Sequence, residues 1–357
     1  MYDCGKEVLG YHDDEVRLHK DERDAMRDRR DSNRKRVLKG LEKNGDPEPR
    51  DFHPQGSYAM KTMVRHPQKD YDIDDGIYFD KEDLSGRNGA EKTALQARQM
   101  VRDAVDDGSF KRPPEARKNC VRVYYEAGYH VDIPVYRRVV TKDWLGREQE
   151  HYELAAPEWK RSDARDVTKW FDGECSRLSA DKYDGGQVRR VIREIKKYAQ
   201  SRESWRGQIG SGFMITKLVT ERYYGDADRE DMALYYTMKA IRDRLNSSLV
   251  VNHPVTPGET ITKGNDDPKA RFLRDRLTDA LGWLEVLFDP SCTREQALKA
   301  WDRVFATDYF TARLETEAKK SARTEGAPYV LTSGLLNDWE RDHPQEPVRK
   351  EGGGRYA

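Results

Sequence analysis

Asp72 and Asp74 stand one residue apart in the run Asp70-Tyr71-Asp72-Ile73-Asp74-Asp75-Gly76-Ile77-Tyr78-Phe79. Ile73, Ile77, Tyr78 and Phe79 predict a strand here. Side chains two apart on a strand leave the same face, so the two carboxylates project together. Parallel carboxylates repel each other unless a cation sits between them. Mg²⁺ suits the position, because it takes hard oxygen ligands and keeps places for water and phosphate. Just upstream, Gln55-Gly56-Ser57-Tyr58-Ala59-Met60-Lys61-Thr62 predicts a loop whose backbone N–H groups can approach phosphate closely, with one hydroxyl beside them.

A third carboxylate follows. Cys120-Val121-Arg122-Val123-Tyr124-Tyr125 and Tyr129-His130-Val131-Asp132-Ile133-Pro134-Val135-Tyr136 predict two strands joined by a turn at Glu126-Ala127-Gly128. Asp132 lies in an otherwise apolar run, where an unpaired buried charge would cost several kcal/mol. A metal would relieve that cost. Asp72, Asp74 and Asp132 together can hold two cations about 3.5–4 Å apart, the arrangement for in-line phosphoryl transfer. One cation would activate an attacking hydroxyl and the other would bind a triphosphate, with Asp132 a candidate acceptor of the hydroxyl proton, directly or through water. The plain alternative is a solvated acidic turn and one edge-strand aspartate.

These residues must be held by a scaffold, and 357 residues suffice for two lobes around a cleft. Sixty-five basic and 65 acidic residues balance, which argues against a generally basic nucleic-acid surface. No DNA or RNA template is therefore expected. Cys4, Cys120, Cys175 and Cys292 are scattered, so neither a structural zinc nor a disulfide framework is expected. No apolar stretch approaches a membrane span, and the first residues carry no apolar signal core, so a cytoplasmic protein is expected.

Residues 12–44 predict a charged helix with a sparse stripe of Val16, Met26, Val37, Leu38 and Leu41. A helix over 90–105 carries Leu95, Met100, Val101 and Val105. A mixed, mostly antiparallel sheet of four to six strands with helices on one side is expected, and a helical pattern from Asp163 onward. In that second part, a helix over 186–201 has Val188, Val191, Ile192, Ile195 and Tyr198 at a 3.6 period, with Lys196 bordering the stripe. Ser211-Gly212 opens the next helix, as an anion site or as a plain N-cap. His253 is expected to be a loop or packing residue. The stripe Ala297, Trp301, Val304 and Phe305 is expected to be core rather than a base-binding platform.

Gly-Ser, D-x-D and the later His130-Val131-Asp132-Ile133-Pro134-Val135-Tyr136 segment resemble the polymerase-β-like nucleotidyltransferases. With Gln55-Gly56-Ser57-Tyr58 and Asn252-His253-Pro254-Val255-Thr256-Pro257-Gly258-Glu259, the chain from about residue 50 to about 310 is similar to the bacterial cGAS/DncV-like enzymes, the CD-NTases. The resemblance implies an α+β fold: a spine helix and nucleotidyltransferase core over 1–160, a helical lobe over 161–320, and a polar segment and tail over 321–357. It implies ATP and other NTPs, GTP among them, as substrates, Mg²⁺ or Mn²⁺ as cofactor, and a cyclic di- or trinucleotide signal in anti-phage defence that reaches a downstream effector. A linear nucleotidyltransferase acting on RNA, an antibiotic or a protein is the alternative. Asp72, Asp74 and Asp132 would be the catalytic metal ligands, and Gln55, Gly56 and Ser57 would hold substrate. A lysine on one helix and a serine opening the next contact the triphosphate in the family, and Arg189, Lys196 and Ser211 are the candidates here, Lys196 and Ser211 foremost. The Gly352-Gly353-Gly354-Arg355-Tyr356-Ala357 tail resembles relatives whose C-terminus is conjugated by a ubiquitin-activating-enzyme-like partner; a frayed end without a role is the other reading.

Overall fold

The structure is a computed structural model that describes residues 1–66, 71–86, 89–125 and 128–314. Residues 321–357, including the glycine tail, lie outside the described residues, as do Glu126 and Ala127 of the expected turn. Met1–Phe310 forms one unit, and Thr311–Ala357 a second whose described part, 311–314, is helical.

Within the first unit, eight described strands make one mixed sheet: β1 (Asp51–Gln55), β2 (Asp72–Asp80), β3 (Glu115–Ala116), β4 (Val121–Tyr124), β5 (His130–Ile133), β6 (Val135–Lys142), β7 (Glu148–Ala155) and β8 (Trp159–Arg161). The order is β3-β4-β5-β2-β6-β7-β8, with β1 antiparallel on β2. β5 and β6 both run parallel to β2, and the remaining pairings are antiparallel. The sheet is larger than the four to six strands expected, for two reasons. β1 reads Asp-Phe-His-Pro-Gln and has no apolar alternation to announce it. Pro134 has no N–H for a ladder, so the single strand expected around Asp132 is split into β5 and β6.

The D-x-D strand is central because its backbone is paired on both sides. Ile73, Ile77 and Phe79 are fully buried and join the core formed with α2 (Lys20–Asn44) and α4 (Ala94–Val105). A shorter helix, α1 (Gly5–Tyr11), precedes α2, and α3 (Gly56–Ala59) is a single turn after β1. Met26, Val37 and Leu41 of α2 are buried as expected, but Leu38 is exposed, as is Leu95 on α4. Val16 is buried in a short π-helical turn before α2 rather than within it. One charged pair fixes α2 to the sheet: Arg34 donates twice to the buried Asp75 carboxylate, at 2.7 and 2.6 Å.

From α5 (Ala164–Leu178) to Phe310 the described chain is helices and their connections. α6 (Gln187–Gln200), α7 (Gly212–Arg222), α8 (Glu230–Ser247), α9 (Pro268–Leu284) and α10 (Arg294–Phe305) follow. Thr293 and Gln296 cap α10 reciprocally, and Ala297, Trp301, Val304 and Phe305 are core, as expected. His253 takes its packing role: Nδ1 accepts the Thr256 N–H at 3.1 Å and the ring lies 5.5 Å from that of Phe213. No helix among the described residues is long and apolar enough to cross a membrane.

The crossing of α2 and α4 depends on Gly40. A Cβ there would fall 1.9 Å from the backbone oxygen of Ala104. Gly40→Ala gains about 1 kcal/mol of helix propensity, yet it must push two helix backbones apart, and overpacking costs about 1–3 kcal/mol or more. A net loss of stability in urea unfolding is expected; an unchanged or raised midpoint would show that the crossing can relax.

Candidate active site

Strand register brings the acidic residues together. On the parallel β2–β5 pair, Asp72 faces His130 and Asp74 faces Asp132. On its other side Asp74 faces Gln55 of β1. On the antiparallel β4–β5 pair, Arg122 faces Asp132. Donor atoms of Asp72, His130 and Asp132 lie within 4.8 Å of one another, and His130 Nε2 contacts the Asp72 carboxylate. Arg122 grips Asp132 with a fork of two hydrogen bonds, both 2.7 Å, and its Nη2 is 3.5 Å from Asp72 Oδ1.

Asp74 stands beside this group rather than in it. Gly56, the first residue after β1, takes a positive φ of 63° and passes directly over Asp74: a Cβ on Gly56 would be 2.2 Å from Asp74 Oδ2. Glycine is needed here both for the backbone angle and for the close approach. Removal from water, with Asp132 and then Asp72 as repelling neighbours, pushes the Asp74 carboxyl up to about 7, against the pull of Arg122. Asp75, one residue on, points the opposite way and meets Arg34. The Asp72-Ile73-Asp74-Asp75 run therefore divides its charges between the two faces of the sheet, with Asp75 on the face that meets α2.

The segment after Gly56 is held by α6. Arg189 Nε donates to the Met60 carbonyl (3.2 Å), Lys196 Nζ to the Thr62 carbonyl and hydroxyl (3.1 and 2.8 Å), and Lys197 Nζ to the Arg65 carbonyl (3.1 Å). α6 is not simply amphipathic: Val188, Val191, Ile192, Ile195 and Tyr198 are buried, and so are Arg190, Arg193, Glu194 and Lys196. Burial, with Arg193 nearby, lowers the Lys196 ammonium to about 7. Lys196 also lies against the start of α7, its Nζ 3.6 Å from where a Gly212 Cβ would be. Ser211 is the N-cap of α7, its hydroxyl accepting the Met214 N–H at 3.2 Å. Around this junction is a cavity of about 330 Å³ whose lining includes His66, Lys196, Arg202, Arg206, Gly212 and Lys269.

Of the residues expected from sequence, the structure brings Asp72, Asp74, Asp132, Gly56 and Ser57 to one region, and Lys196 and Ser211 to the adjoining helix junction. Gln55 is turned inward, where its Oε1 accepts the Tyr136 hydroxyl at 3.0 Å. Three residues were missed. His130 is two before Asp132, so strand alternation alone puts it on the same face. Arg122 was legible from the hairpin, since a turn centred on residue 127 sets it opposite Asp132. Thr62 carried no signal, because its partner Lys196 is 134 residues away.

The Asp74 shift has a direct consequence for stability. A carboxyl raised from 3.8 to about 7 makes the native chain bind more protons than the unfolded one between those values. Stability of the metal-free protein should therefore fall as pH rises from 4 to 7. In EDTA, Asp74→Asn is expected to be the more stable protein at pH 8, by a few kcal/mol and roughly 4 at most, and to match wild type more closely at pH 4. Urea unfolding at the two pH values measures this; a gain that did not depend on pH would place the cause elsewhere.

Residues 50–136 match the family described as cyclic GMP-AMP synthase DncV-like, nucleotidyltransferase domain. The cyclic GMP-AMP synthase of Escherichia albertii is 23% identical over 219 residues, 60% of this chain and 46% of that protein. The chain spans about half the length of that curated relative. Among solved structures, the Vibrio cholerae DncV cyclic AMP-GMP synthase, in complex with the linear intermediate 5′ pppA(3′,5′)pG, superposes with a TM-score of 0.65 at 18% identity, over 85% of this chain and 96% of that one. The Bradyrhizobium diazoefficiens CD-NTase CdnG, in complex with GTP, gives a TM-score of 0.63 at 16% identity, over 88% and 98%. At these identities the superpositions establish the fold. The family match itself spans residues 50–136, which hold the D-x-D strand and the Asp132 hairpin, and the chain shares the fold of the DncV-like nucleotidyltransferases.

Proposed function

We propose that the protein is a metal-dependent nucleotidyltransferase that joins NTPs, ATP together with GTP, into a cyclic di- or trinucleotide used as a signal in anti-phage defence. The observation that carries this reading is the register of β2 and β5, which sets Asp72 and Asp74 beside Asp132 under the Gly56 turn. Asp72 and Asp132 have donor atoms close enough to share an ion, and Asp74 faces Asp132 on the neighbouring strand. Carboxylate oxygens suit Mg²⁺ or Mn²⁺, and His130 is better placed as the partner of Asp72 than as a ligand of a hard cation. Such ions supply charge neutralisation on the phosphates and a more acidic hydroxyl.

The chain's own residues would do the rest. Backbone N–H groups of the Gly56-Ser57 turn and the Ser57 hydroxyl face the phosphates. Lys196 and the N-terminus of α7 at Ser211 bind the triphosphate end, beside the basic cavity that Arg202, Arg206 and Lys269 help to line. The 2′- or 3′-hydroxyl of one nucleotide attacks the α-phosphate of another, the bond to the β-phosphate breaks, and pyrophosphate leaves. A second transfer within the linear intermediate closes the ring. Asp132 remains a candidate proton acceptor: Arg122 engages both of its oxygens, but each carboxylate oxygen has a second lone pair.

Incubation with the four NTPs and Mg²⁺, followed by phosphatase and mass analysis, tests the reading. A phosphatase-resistant cyclic product is expected, and its loss in EDTA and in Asp72→Asn with Asp74→Asn. Only linear or acceptor-linked NMP would favour the other nucleotidyltransferase reading, and turnover by the double variant would exclude this site.

Lys196→Ala should weaken NTP binding roughly tenfold to a hundredfold, because one charged hydrogen bond is worth about 1.5–3 kcal/mol. Unaltered KM and kcat would move the triphosphate site away from α6.

A further inference from the structure

We infer that Arg122 is a resident counter-cation of the carboxylate site, holding Asp132 and Asp72 together without metal and weakening the binding of divalent cations there. The inference rests on reading these aspartates as a cation site.

Its position is set by the fold. Arg122 and Asp132 are directly opposed on an antiparallel pair, so their side chains leave the same face of the sheet at neighbouring positions. The guanidinium meets Asp132 edge to edge through Nε and Nη2, the geometry a planar fork makes with a carboxylate. Nη2 is shared with Asp72, so one cation bridges two strands that carry like charges. Both members of the pair are largely removed from solvent, with the Arg122 side chain 21% and the Asp132 side chain 11% exposed. Neither charge can be exchanged for water at little cost.

Two effects follow from that placement. Without a divalent ion, Arg122 is the nearest fixed positive charge to Asp132, and it limits the repulsion among Asp72, Asp74 and Asp132. When a divalent ion approaches Asp132, it must share oxygens already engaged by the guanidinium and accept a like charge a few ångströms away. Removing that charge should tighten ion binding on the order of tenfold, as expected for a unit charge close to a divalent ion in a water-rich cleft.

The test uses Mn²⁺ alone, without nucleotide, titrated into the full chain and followed by the EPR signal of free Mn²⁺. Arg122→Met, similar in length and neutral, should bind Mn²⁺ at least about tenfold tighter than wild type. Arg122→Lys, which keeps the charge, should stay close to wild type. The tightening should vanish when Asp72→Asn and Asp132→Asn are added. In EDTA, Arg122→Met should melt below wild type, and Mn²⁺ should raise its Tm by more. Arg122→Gln carries the same comparison if the methionine variant does not fold. Equal or weaker Mn²⁺ binding in the neutral variants, including none in any, would overturn the inference. Cyclic product formation is scored separately: tighter Mn²⁺ binding with no product from any NTP would leave Arg122 in this role and remove the synthase reading, while normal product with unaltered Mn²⁺ affinity would do the reverse.

Discussion

Repulsion among carboxylates that cannot move apart governs this structure. Asp74 and Asp132 are cross-strand partners in the middle of a sheet, and Asp72 shares their face. Their backbones are fixed by ladder hydrogen bonds and by the buried residues Ile73, Val131 and Ile133 between them. The sheet therefore cannot relieve the repulsion by relaxing. It is met instead locally: Arg122 grips Asp132, the His130 ring lies against Asp72, and removal from water beside its neighbours pushes the Asp74 carboxyl up to about 7. The arrangement is a candidate cation site, with donor atoms of Asp72, His130 and Asp132 within 4.8 Å of one another.

The same strand links the site to the rest of the molecule. Asp75 turns away from the cleft and takes Arg34 of the long α2 helix, so the strand's position relative to its scaffold is set by a forked ion pair as well as by apolar packing. On the cleft side, Gly56 lies on Asp74 too closely for any side chain. The chain beyond it is tied to α6 through the Met60, Thr62 and Arg65 carbonyls. α6 is thus coupled to the Gly-Ser turn by three cations. It also packs on α7, so the turn, the lysine and the Ser211 N-cap form one connected unit.

Much of this is legible in the chain itself. The D-x-D alternation, the Gly-Ser pair ahead of it and a lone aspartate in an apolar strand are local patterns, and local patterns survive in any fold that keeps the strand. The Thr293 capping box and the core stripe of α10 were legible for the same reason. Errors arose where local signals are silent or compete. β1 has no apolar alternation, Pro134 interrupts a ladder, and Leu38 and Leu95 are apolar residues on helix faces that packing leaves in solvent. α6 looked like a half-exposed helix, yet Arg190, Arg193 and Lys196 on its other face are buried because each finds a carboxylate or a carbonyl, while both carboxylate oxygens of the buried Glu194 lack a hydrogen-bond partner among the described residues.

By itself the sequence determined which residues are candidates for the chemistry and that Asp72 and Asp74 share a face, because both follow from residue type and the two-residue period of a strand. Even Arg122 opposite Asp132 was implicit in a hairpin turning at residue 127. Tertiary structure alone decided that β2 runs parallel to β5 in the register that faces Asp74 with Asp132, and that Lys196 reaches Thr62. Those pairings join segments dozens to more than a hundred residues apart. No local periodicity encodes the register of such a pairing; it is selected by how the two strands and α6 pack into a single core.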